Sequence, residues 1–299
     1  MELGANTLVD DVERALKLLK DEGFRAVYFD GQVLRLPEGR LKRIRAMCED
    51  LGLRSFSAHT PYQLLPAPGR PVSEGVDRLK GALEKAAVLG VEMMTLHPGC
   101  LDEVRDGDVW KYVGKIGRER FWEQNVHVLR EVAEYAGSLG MRVTVENMLP
   151  EHMGDMFTRI EDVVALVSDV GSRNLGICLD SGHTFIAGLN PADGIRKAGK
   201  LLWETHFHDN FGKISGDYDL HRPPGIGRID WLSVIGALRE IGFRGPLVFE
   251  LSLKGEERPE ELYRLTYLSW KKYEEVWKKI YGRKDEGESQ GAPFPLDRT

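Results

Sequence analysis

The chemistry of this chain is concentrated around Asp180 and His183, which are separated by two small residues, Ser181 and Gly182. Residues 176–179 are small or apolar, as expected of a strand buried on both faces, so Asp180 is predicted to lie at the strand end. Gly182 permits a tight turn that would bring the carboxylate and the imidazole together. Both groups are ligands for divalent metal ions. The pattern alone fits equally well a helix cap followed by a surface histidine.

Other predicted strands end in the same residue types. The candidate ligands at the ends of strands three to eight, and in the loops just beyond, are His59, His97, Glu146, Asp180, His183, His206, Asp219, His221 and Glu250. Nitrogen and oxygen ligands suit Zn, Mn, Co or Mg rather than the metals of thiolate sites. Nine candidates are too many for one ion. With one carboxylate bridging, they could hold two or three.

The elements that position these residues alternate regularly along the chain. Apolar runs predict strands at 3–6, 24–29, 54–58, 91–96, 141–145, 176–179, 201–208 and 246–249. Helical periodicity and capping signals predict helices at 8–21, 41–51, 72–89, 118–139, 160–170, from about 191, 230–241 and 259–281. Segment 101–117 is either an active-site lid or a surface excursion. Eight strand-helix pairs predict a single-domain α/β (β/α)8 TIM barrel over residues 1–282, with its active site at the carboxyl ends of the strands. A charged, Gly- and Pro-rich tail, 283–299, is expected to be disordered.

Composition narrows the class of protein. The 299 residues are 42% hydrophobic, which is enough for a sizeable core, and no apolar run approaches a membrane span. The first residues lack the pattern of a signal peptide, so a cytoplasmic protein is expected. Three widely spaced cysteines indicate neither a disulfide framework nor a cysteine zinc site. The net charge of −6 gives no global basic footprint for nucleic acid.

Several short motifs together resemble the xylose-isomerase-like TIM barrel superfamily, which includes sugar isomerases and epimerases and the endonuclease IV family. The matching pieces are His59-Thr60-Pro61-Tyr62, His97-Pro98-Gly99, Glu146-Asn147, Asp180-Ser181-Gly182-His183, His206-Phe207-His208-Asp209, Asp219-Leu220-His221, Gly225-Ile226-Gly227 and Glu250. In the endonuclease branch, nine such positions hold three zinc ions, and the glutamate matching Glu146 bridges two of them. That pattern favours His206 over His208 as a ligand.

The chain also departs from the nuclease pattern. Gly182 replaces the cysteine of the D-T-C-H motif, and the lysine after H-x-N-D is missing because Phe211 follows Asn210. The run through Arg222 and Arg228 to Trp231 instead resembles proteins grouped as sugar-phosphate isomerases or epimerases. In that branch, the positions matching Glu146, Asp180, His206 and Glu250 hold one catalytic metal.

The resemblance therefore implies a metal-dependent isomerase or epimerase of a small sugar or sugar phosphate, with one to three divalent ions, Zn, Mn or Co. Glu146 and Glu250 would be the acid/base pair. Substrate contacts are expected from His208, Tyr62, Asn147, Arg222 and Arg228. The alternative is a trinuclear zinc endonuclease that cleaves DNA at abasic sites, with Tyr62 entering the duplex; Tyr62 as barrel-rim packing is also open. A metal-stabilised binding protein without turnover is a third possibility. The loops mix basic and acidic residues, and duplex DNA requires several cationic phosphate contacts, so the sugar enzyme is favoured. The oligomeric state stays open.

Overall fold

Eight short parallel strands form a barrel. The computed structural model describes residues 1–104, 108–153, 156–213 and 219–282, except for the side chains of residues 152 and 153. The strands are β1 (Leu3–Asn6), β2 (Ala26–Phe29), β3 (Arg54–His59), β4 (Met93–Leu96), β5 (Arg142–Glu146), β6 (Leu175–Asp180), β7 (Leu202–His206) and β8 (Leu247–Phe249). Their order around the sheet is β7-β6-β5-β4-β3-β2-β1-β8, so the first strand pairs with both the second and the last.

The ring closes between β7 and β8 through few backbone contacts. Phe207, just after β7, forms a single parallel bridge with Phe249. The Thr205 hydroxyl accepts a hydrogen bond from the Val248 amide at 3.0 Å. The TIM-barrel prediction is therefore confirmed. The prediction that strand seven extends to His208 is wrong, because β7 ends at His206 and Asp209 pairs antiparallel with Arg222 instead of continuing the parallel strand.

Helices cover the outside of the barrel. They are α1 (Val12–Asp21), α2 (Glu38–Leu51), α3 (Val72–Leu89), α4 (Val109–Ile116), α5 (Arg118–Ser138), α6 (Pro150–Met153), α7 (Ile160–Val170), α8 (Ser181–Ile186), α9 (Pro191–Ala198), α10 (Trp231–Glu240) and α11 (Pro259–Tyr281). The predicted ends of α3, α7 and α11 agree with the structure. Gly90 and Gly171 end α3 and α7 in the left-handed conformation, which glycine adopts without steric penalty. No helix of the described residues is long and apolar enough to cross a membrane.

The strands separate two sets of buried side chains. Val27 and Phe29 belong to the large cluster that includes the helices, whereas the alternate residues Ala26 and Tyr28 belong to a second, smaller cluster. Because successive side chains of a strand point to opposite faces, the second cluster lies inside the barrel. Its other members are Phe56, Met93 and Val248.

Two predictions concern segments that extend beyond the described residues, 101–117 and 283–299. In 101–117, α4 buries Val109 and Val113, which fits packing on the barrel but does not test closure over the site; residues 105–107 lie outside the described residues. The expected disordered tail, 283–299, also lies outside them.

Candidate metal centre and active site

The predicted ligands meet at one end of the barrel, because parallel strands bring their carboxyl ends together. Glu146, Asp180 and His206 are the last residues of β5, β6 and β7, and Glu250 follows β8. One donor atom from each of these four side chains lies within 4.8 Å of the others. The first three are fully buried or nearly so, whereas the Glu250 side chain is 19% exposed. A compact group of three carboxylates and one imidazole is thus formed.

Glu146 lies at the centre of this group. Its Oε2 is 3.0 Å from His206 Nδ1 and 3.4 Å from His97 Nε2, and its Oε1 is 3.4 Å from His183 Nδ1. Burial opposes ionisation, but His206 and His97 outweigh it and hold the pKa of Glu146 well below its usual value. Glu146 is therefore an ionised carboxylate surrounded by imidazoles.

The turn after β6 places Asp180 and His183 side by side. The Asp180 carboxylate caps α8 by accepting the His183 amide at 2.6 Å. It also lies 3.0 Å from His208 Nε2, while His183 Nδ1 contacts the Asn147 carbonyl at 2.9 Å. Burial raises the pKa of Asp180, but His183 and His208 prevail and lower it. The Asp180–His183 spacing is thus a helix cap and, at the same time, part of the cluster.

Asn147 holds this turn in place. Its side-chain oxygen accepts the Asp180 amide at 2.8 Å, and its nitrogen donates to the Asp180 carbonyl and the Thr184 hydroxyl, both at 3.2 Å. The residue is completely buried. Its hydrogen-bonding groups are occupied by backbone and Thr184, so the predicted substrate contact of Asn147 would require these bonds to be exchanged.

His206 and His208 lie in different parts of the cluster. His206 Nδ1 points to Glu146 and, at 3.5 Å, to Glu250 Oε2. His208 bonds Asp180, and its ring stacks on His221 with a centroid separation of 3.9 Å. A Cβ added at Gly182 would lie 1.8 Å from His208 Cε1. The His208 ring can therefore occupy this space only because residue 182 is glycine.

Asp219 and His221 extend the cluster toward the solvent. Asp219 Oδ2 is 3.1 Å from His221 Nε2 and 3.7 Å from His183 Nε2. Burial opposes its ionisation, but His183 and His221 lower the pKa of Asp219 strongly. Burial disfavours the imidazolium of His221, yet Asp219 raises its pKa to about 9. His221 adopts a positive φ of 48°, an uncommon conformation for a non-glycine residue.

His59 and His97 form a pair at the ends of β3 and β4. Their Nε2 atoms are 2.9 Å apart. Burial and the neighbouring His97 lower the pKa of His59 to about 4. Burial also opposes the charged form of His97, but Cys100 and Glu146 overcome it and raise its pKa to about 10. The His97 Nε2–H group therefore donates a hydrogen bond to the neutral His59 ring. The structure brings all nine predicted ligands into one continuous cluster; whether they bind metal stays a prediction.

The donor chemistry of this cluster fits a divalent metal ion. Among the described residues, Glu146 Oε2, His206 Nδ1 and Asp219 Oδ1 are buried without a hydrogen-bond partner. Buried polar atoms without partners are rare, because their desolvation is not repaid. Within the described ranges, five overlapping groups of three or four side chains have donor atoms close enough for an ion, and one of them includes Cys178 with Glu146 and His206. Oxygen and imidazole donors predominate.

A cavity of about 720 Å³ adjoins the cluster. His59, His97, His221 and Glu250 form one wall of it. Tyr62 also lines the cavity, half-buried, with the Arg35 and Arg78 guanidinium groups 5.5 and 5.8 Å from its ring centre. This volume is in the usual range for small-molecule sites.

Sequence reasoning missed two acidic residues. Asp30 follows β2 and lines the cavity; burial, and then Glu250, raise its pKa to about 6. Asp30 could have been found, since it stands at a strand end like the others. Glu204 lies inside the barrel on β7 and accepts hydrogen bonds from the Thr95 and Thr144 hydroxyls at 2.5 and 2.9 Å. Its place within a strand gave no signal of a site.

The two predicted arginine contacts lie in the loop that follows β7. The Arg222 guanidinium pairs with both carboxylate oxygens of Glu257, and Arg228 is exposed. This loop is held by the buried Asp209 carboxylate, which accepts the Gly225 and Ile229 amides and the Trp231 indole N–H. The substrate contacts of both arginines stay predictions.

Comparison with known proteins gives a consistent picture. The model of the family described as xylose isomerase-like TIM barrel matches residues 16–272. An uncharacterized protein of Methanocaldococcus jannaschii is 33% identical over 179 residues, 58% of this chain and 56% of its own length. D-psicose 3-epimerase of Agrobacterium fabrum is 32% identical over 133 residues, 44% of this chain and 43% of its own. The chain thus spans about half the length of these two relatives.

A nuclease relative and a solved structure complete the comparison. A probable endonuclease 4 of Thermoplasma acidophilum is 23% identical over 232 residues, 74% of each chain. The crystal structure of D-psicose 3-epimerase in the presence of D-fructose superposes with a TM-score of 0.74 at 18% identity, covering 94% of this chain and all of that one. At this identity the structural likeness establishes the fold alone.

Proposed function

The chain belongs to the xylose isomerase-like TIM barrel family, and on that premise we propose that it is a divalent-metal-dependent isomerase or epimerase of a small sugar. The observation that carries the proposal is the group Glu146, Asp180, His206 and Glu250 beside a polar cavity that Glu250 also lines. The relationship to sugar epimerases supports this choice of reaction.

These four side chains would hold one ion, Mn, Co or Zn, and the surrounding histidines and Asp219 could raise the number to three. When bound, the ion would polarise a ketone carbonyl and a neighbouring hydroxyl of the sugar and so acidify the adjacent C–H bond. Buried donor atoms that lack hydrogen-bond partners in the described part of the chain, among them Glu146 Oε2 and His206 Nδ1, support the presence of such an ion.

Glu146 and Glu250 would exchange the substrate proton. Both carboxylates lie beside His206 Nδ1, Glu146 at 3.0 Å and Glu250 at 3.5 Å. One carboxylate takes the proton from the carbon next to the carbonyl, which leaves a planar ene-diolate, and the other returns a proton to the opposite face. Return to the same carbon inverts it and gives an epimer, whereas return to the former carbonyl carbon gives an isomer. The Tyr28 hydroxyl, 3.3 Å from Glu250 Oε1, would orient that carboxylate.

The charges around the cavity favour an uncharged sugar over a sugar phosphate or DNA. Among the described residues, the cavity lining contains Asp10, Asp30 and Glu250 but no lysine or arginine. Lys111 on α4 is paired with Asp108, and Arg222 in the loop after β7 is paired with Glu257. A DNA phosphodiester backbone requires several free cations, which makes the nuclease the second candidate.

The residues at positions 182 and 208 also separate the two candidates. Where the nuclease motifs place cysteine and asparagine, this chain has Gly182 and His208, and the space freed by the glycine is filled by the histidine ring. The exchange adds an imidazole beside Asp180, at 3.0 Å. An additional proton donor at this point suits a substrate rich in hydroxyl groups.

Two assays in parallel test the proposal. The protein, loaded in turn with Mn, Co or Zn, is incubated in D2O with a panel of ketoses and their phosphates, and separately with a duplex containing an abasic site. We expect metal-dependent deuterium incorporation next to the carbonyl of at least one free ketose. Salt-sensitive incision of the duplex, with no exchange into any sugar, would replace the proposal by the nuclease.

A further inference from the structure

A carboxylate lies inside the barrel directly below the candidate metal group. Glu204 is completely buried and precedes His206 by two residues on β7, so both side chains point into the barrel. Glu204 Oε2 accepts hydrogen bonds from Thr95 and Thr144. Its other oxygen, Oε1, has no hydrogen-bond partner among the described residues and is 3.7 Å from His206 Nε2.

The two nitrogens of His206 face different groups. Nδ1 is directed to Glu146 and Glu250, where the metal would bind, and Nε2 is directed to Glu204. Within the described part of the chain, both nitrogens are buried and lack hydrogen-bond partners. Because a buried donor and a buried acceptor that stay unpaired both lose their hydration without compensation, a small movement that joins Nε2 to Glu204 Oε1 is favourable.

We propose that Glu204 is the positioning residue for His206: it accepts the Nε2 hydrogen and thereby presents Nδ1 to the metal. The inference rests on the proposed metal site. Histidine ligands generally donate their second nitrogen to a carboxylate or carbonyl, which fixes the ring and strengthens the ligand. Here the hydroxyl groups of Thr95 and Thr144 anchor the carboxylate from below.

Other groups also face the His206 ring. The Tyr28 ring lies at a centroid distance of 4.6 Å, and the Cys178 thiol is near enough to form a metal-binding group with His206 and Glu146. Cys178 is completely buried. Cysteine sulfur is only a weak hydrogen-bond acceptor, which leaves Glu204 as the strong acceptor for Nε2.

Glu204→Gln tests the inference with an almost isosteric change. The carbonyl of the introduced glutamine would stay on the Thr95 and Thr144 hydroxyls, which turns its NH2 group toward His206 Nε2. In the metal-bound protein, the glutamine NH2 group and the His206 Nε2–H group would then face each other as two hydrogen-bond donors. We expect Mn, Co or Zn to bind 10- to 100-fold more weakly, roughly the effect known for such partners, while thermal unfolding of the metal-free protein shows that the variant is folded.

A matched control and a spectroscopic measurement separate positioning from a general structural role. Glu274→Gln changes another buried glutamate, on α11, and should leave metal affinity unchanged. In zinc-loaded protein with 15N-labelled histidine, His206 should show a metal-bound Nδ1 and a slowly exchanging Nε2–H, which persists in Cys178→Ala and exchanges rapidly in Glu204→Gln.

Two results would overturn the inference: equal metal affinity of Glu204→Gln and wild type, or zinc on Nε2 of His206 in the wild-type protein. The second result is decisive even if the variant fails to fold. A wild-type protein that binds no divalent ion at all would instead remove the proposed function, and the inference with it.

Discussion

The two halves of the barrel interior differ in chemistry. Below the cavity, the side of β2, β3 and β8, together with the first residue of β4, is filled by Ala26, Tyr28, Phe56, Met93 and Val248. Below the candidate ligands, strands β4 to β7 contribute Thr95, Thr144, Cys178 and Glu204, of which the two threonines and Glu204 are joined by hydrogen bonds. An apolar wall tolerates small shifts, whereas a buried hydrogen-bonded network fixes direction. The polar half is therefore suited to aim ligands and the apolar half to support a cavity.

The largest effect is expected from Glu146 on the polar half. In Glu146→Gln, the central carboxylate is lost, and with it both the proposed proton acceptor and a proposed metal ligand. We expect deuterium exchange into the ketose to fall at least about 1,000-fold, within the range of general acid–base catalysis. Glu161→Gln, at an exposed carboxylate on α7, is the control and should retain the wild-type rate. An active Glu146→Gln protein would remove Glu146 from the acid/base pair.

The ionisation of Asp30, which lines the cavity, makes folding stability depend on pH and so tests the apolar half. Its pKa in the folded protein, about 6, is raised above the ordinary value of 3.8, chiefly by burial. The folded state then binds a proton more tightly than the unfolded state, so Asp30 reduces stability as the pH rises from 4 to 6. Relative to wild type, Asp30→Asn should gain about 2–3 kcal/mol across this window in chelator-treated protein.

Denaturant unfolding at several pH values measures that difference. The Thr7 hydroxyl bonds Asp30 at 3.4 Å and lowers its pKa, so Thr7→Val should move the upper end of the window to higher pH. A stability difference that does not change between pH 4 and 7 would show that Asp30 is solvated like a surface carboxylate.

Gly182 and His208 test how strictly the polar half is packed. Gly182→Cys places a Cβ on the His208 ring and should cost about 1–3 kcal/mol of unfolding free energy, a common effect of overpacking. Gly182→Cys with His208→Asn should recover most of this loss, because the smaller side chain vacates the space. Gly81→Ala, where the added Cβ meets nothing within 4 Å, is the control. Strict additivity of the two changes would mean that they do not share space.

Much of the barrel could be predicted because local signals and the global fold agree. Gly90, Gly171 and the Pro259 helix start mark element ends by chain-local chemistry, and the structure has those ends where the sequence places them. The common location of the candidate ligands follows from a single topological rule, that parallel strands end at the same face. To predict where the candidate ligands lie, it was therefore enough to recognise the polar residues at the strand ends.

The remaining features depend on distant contacts that no local pattern contains. In the sequence, Glu204 is an isolated charged residue in a predicted strand. Its role becomes apparent only in the fold, where the Thr95 and Thr144 hydroxyls donate hydrogen bonds to it. Asn147 follows a candidate ligand directly, yet its amide turns to the end of β6. The two-residue spacing from His206 predicts that His208 lies on the strand. In the structure, the neighbouring Asp209 pairs antiparallel with the distant Arg222, a contact that the local sequence does not contain.

The position of β8 between β1 and β7 has a consequence for biosynthesis. β1 pairs with a strand almost 250 residues away, since Leu3 pairs with Leu247. During synthesis, β1 can therefore pair with β8 only after almost 250 further residues have been added. Such non-local pairing slows folding. Glu250 follows that last strand directly, and its amide bonds the Phe207 carbonyl across the seam at 3.2 Å. The candidate metal group of four residues is thus completed only when β8 closes the barrel, and a nascent chain that still lacks β8 on the ribosome has no complete site to offer an ion.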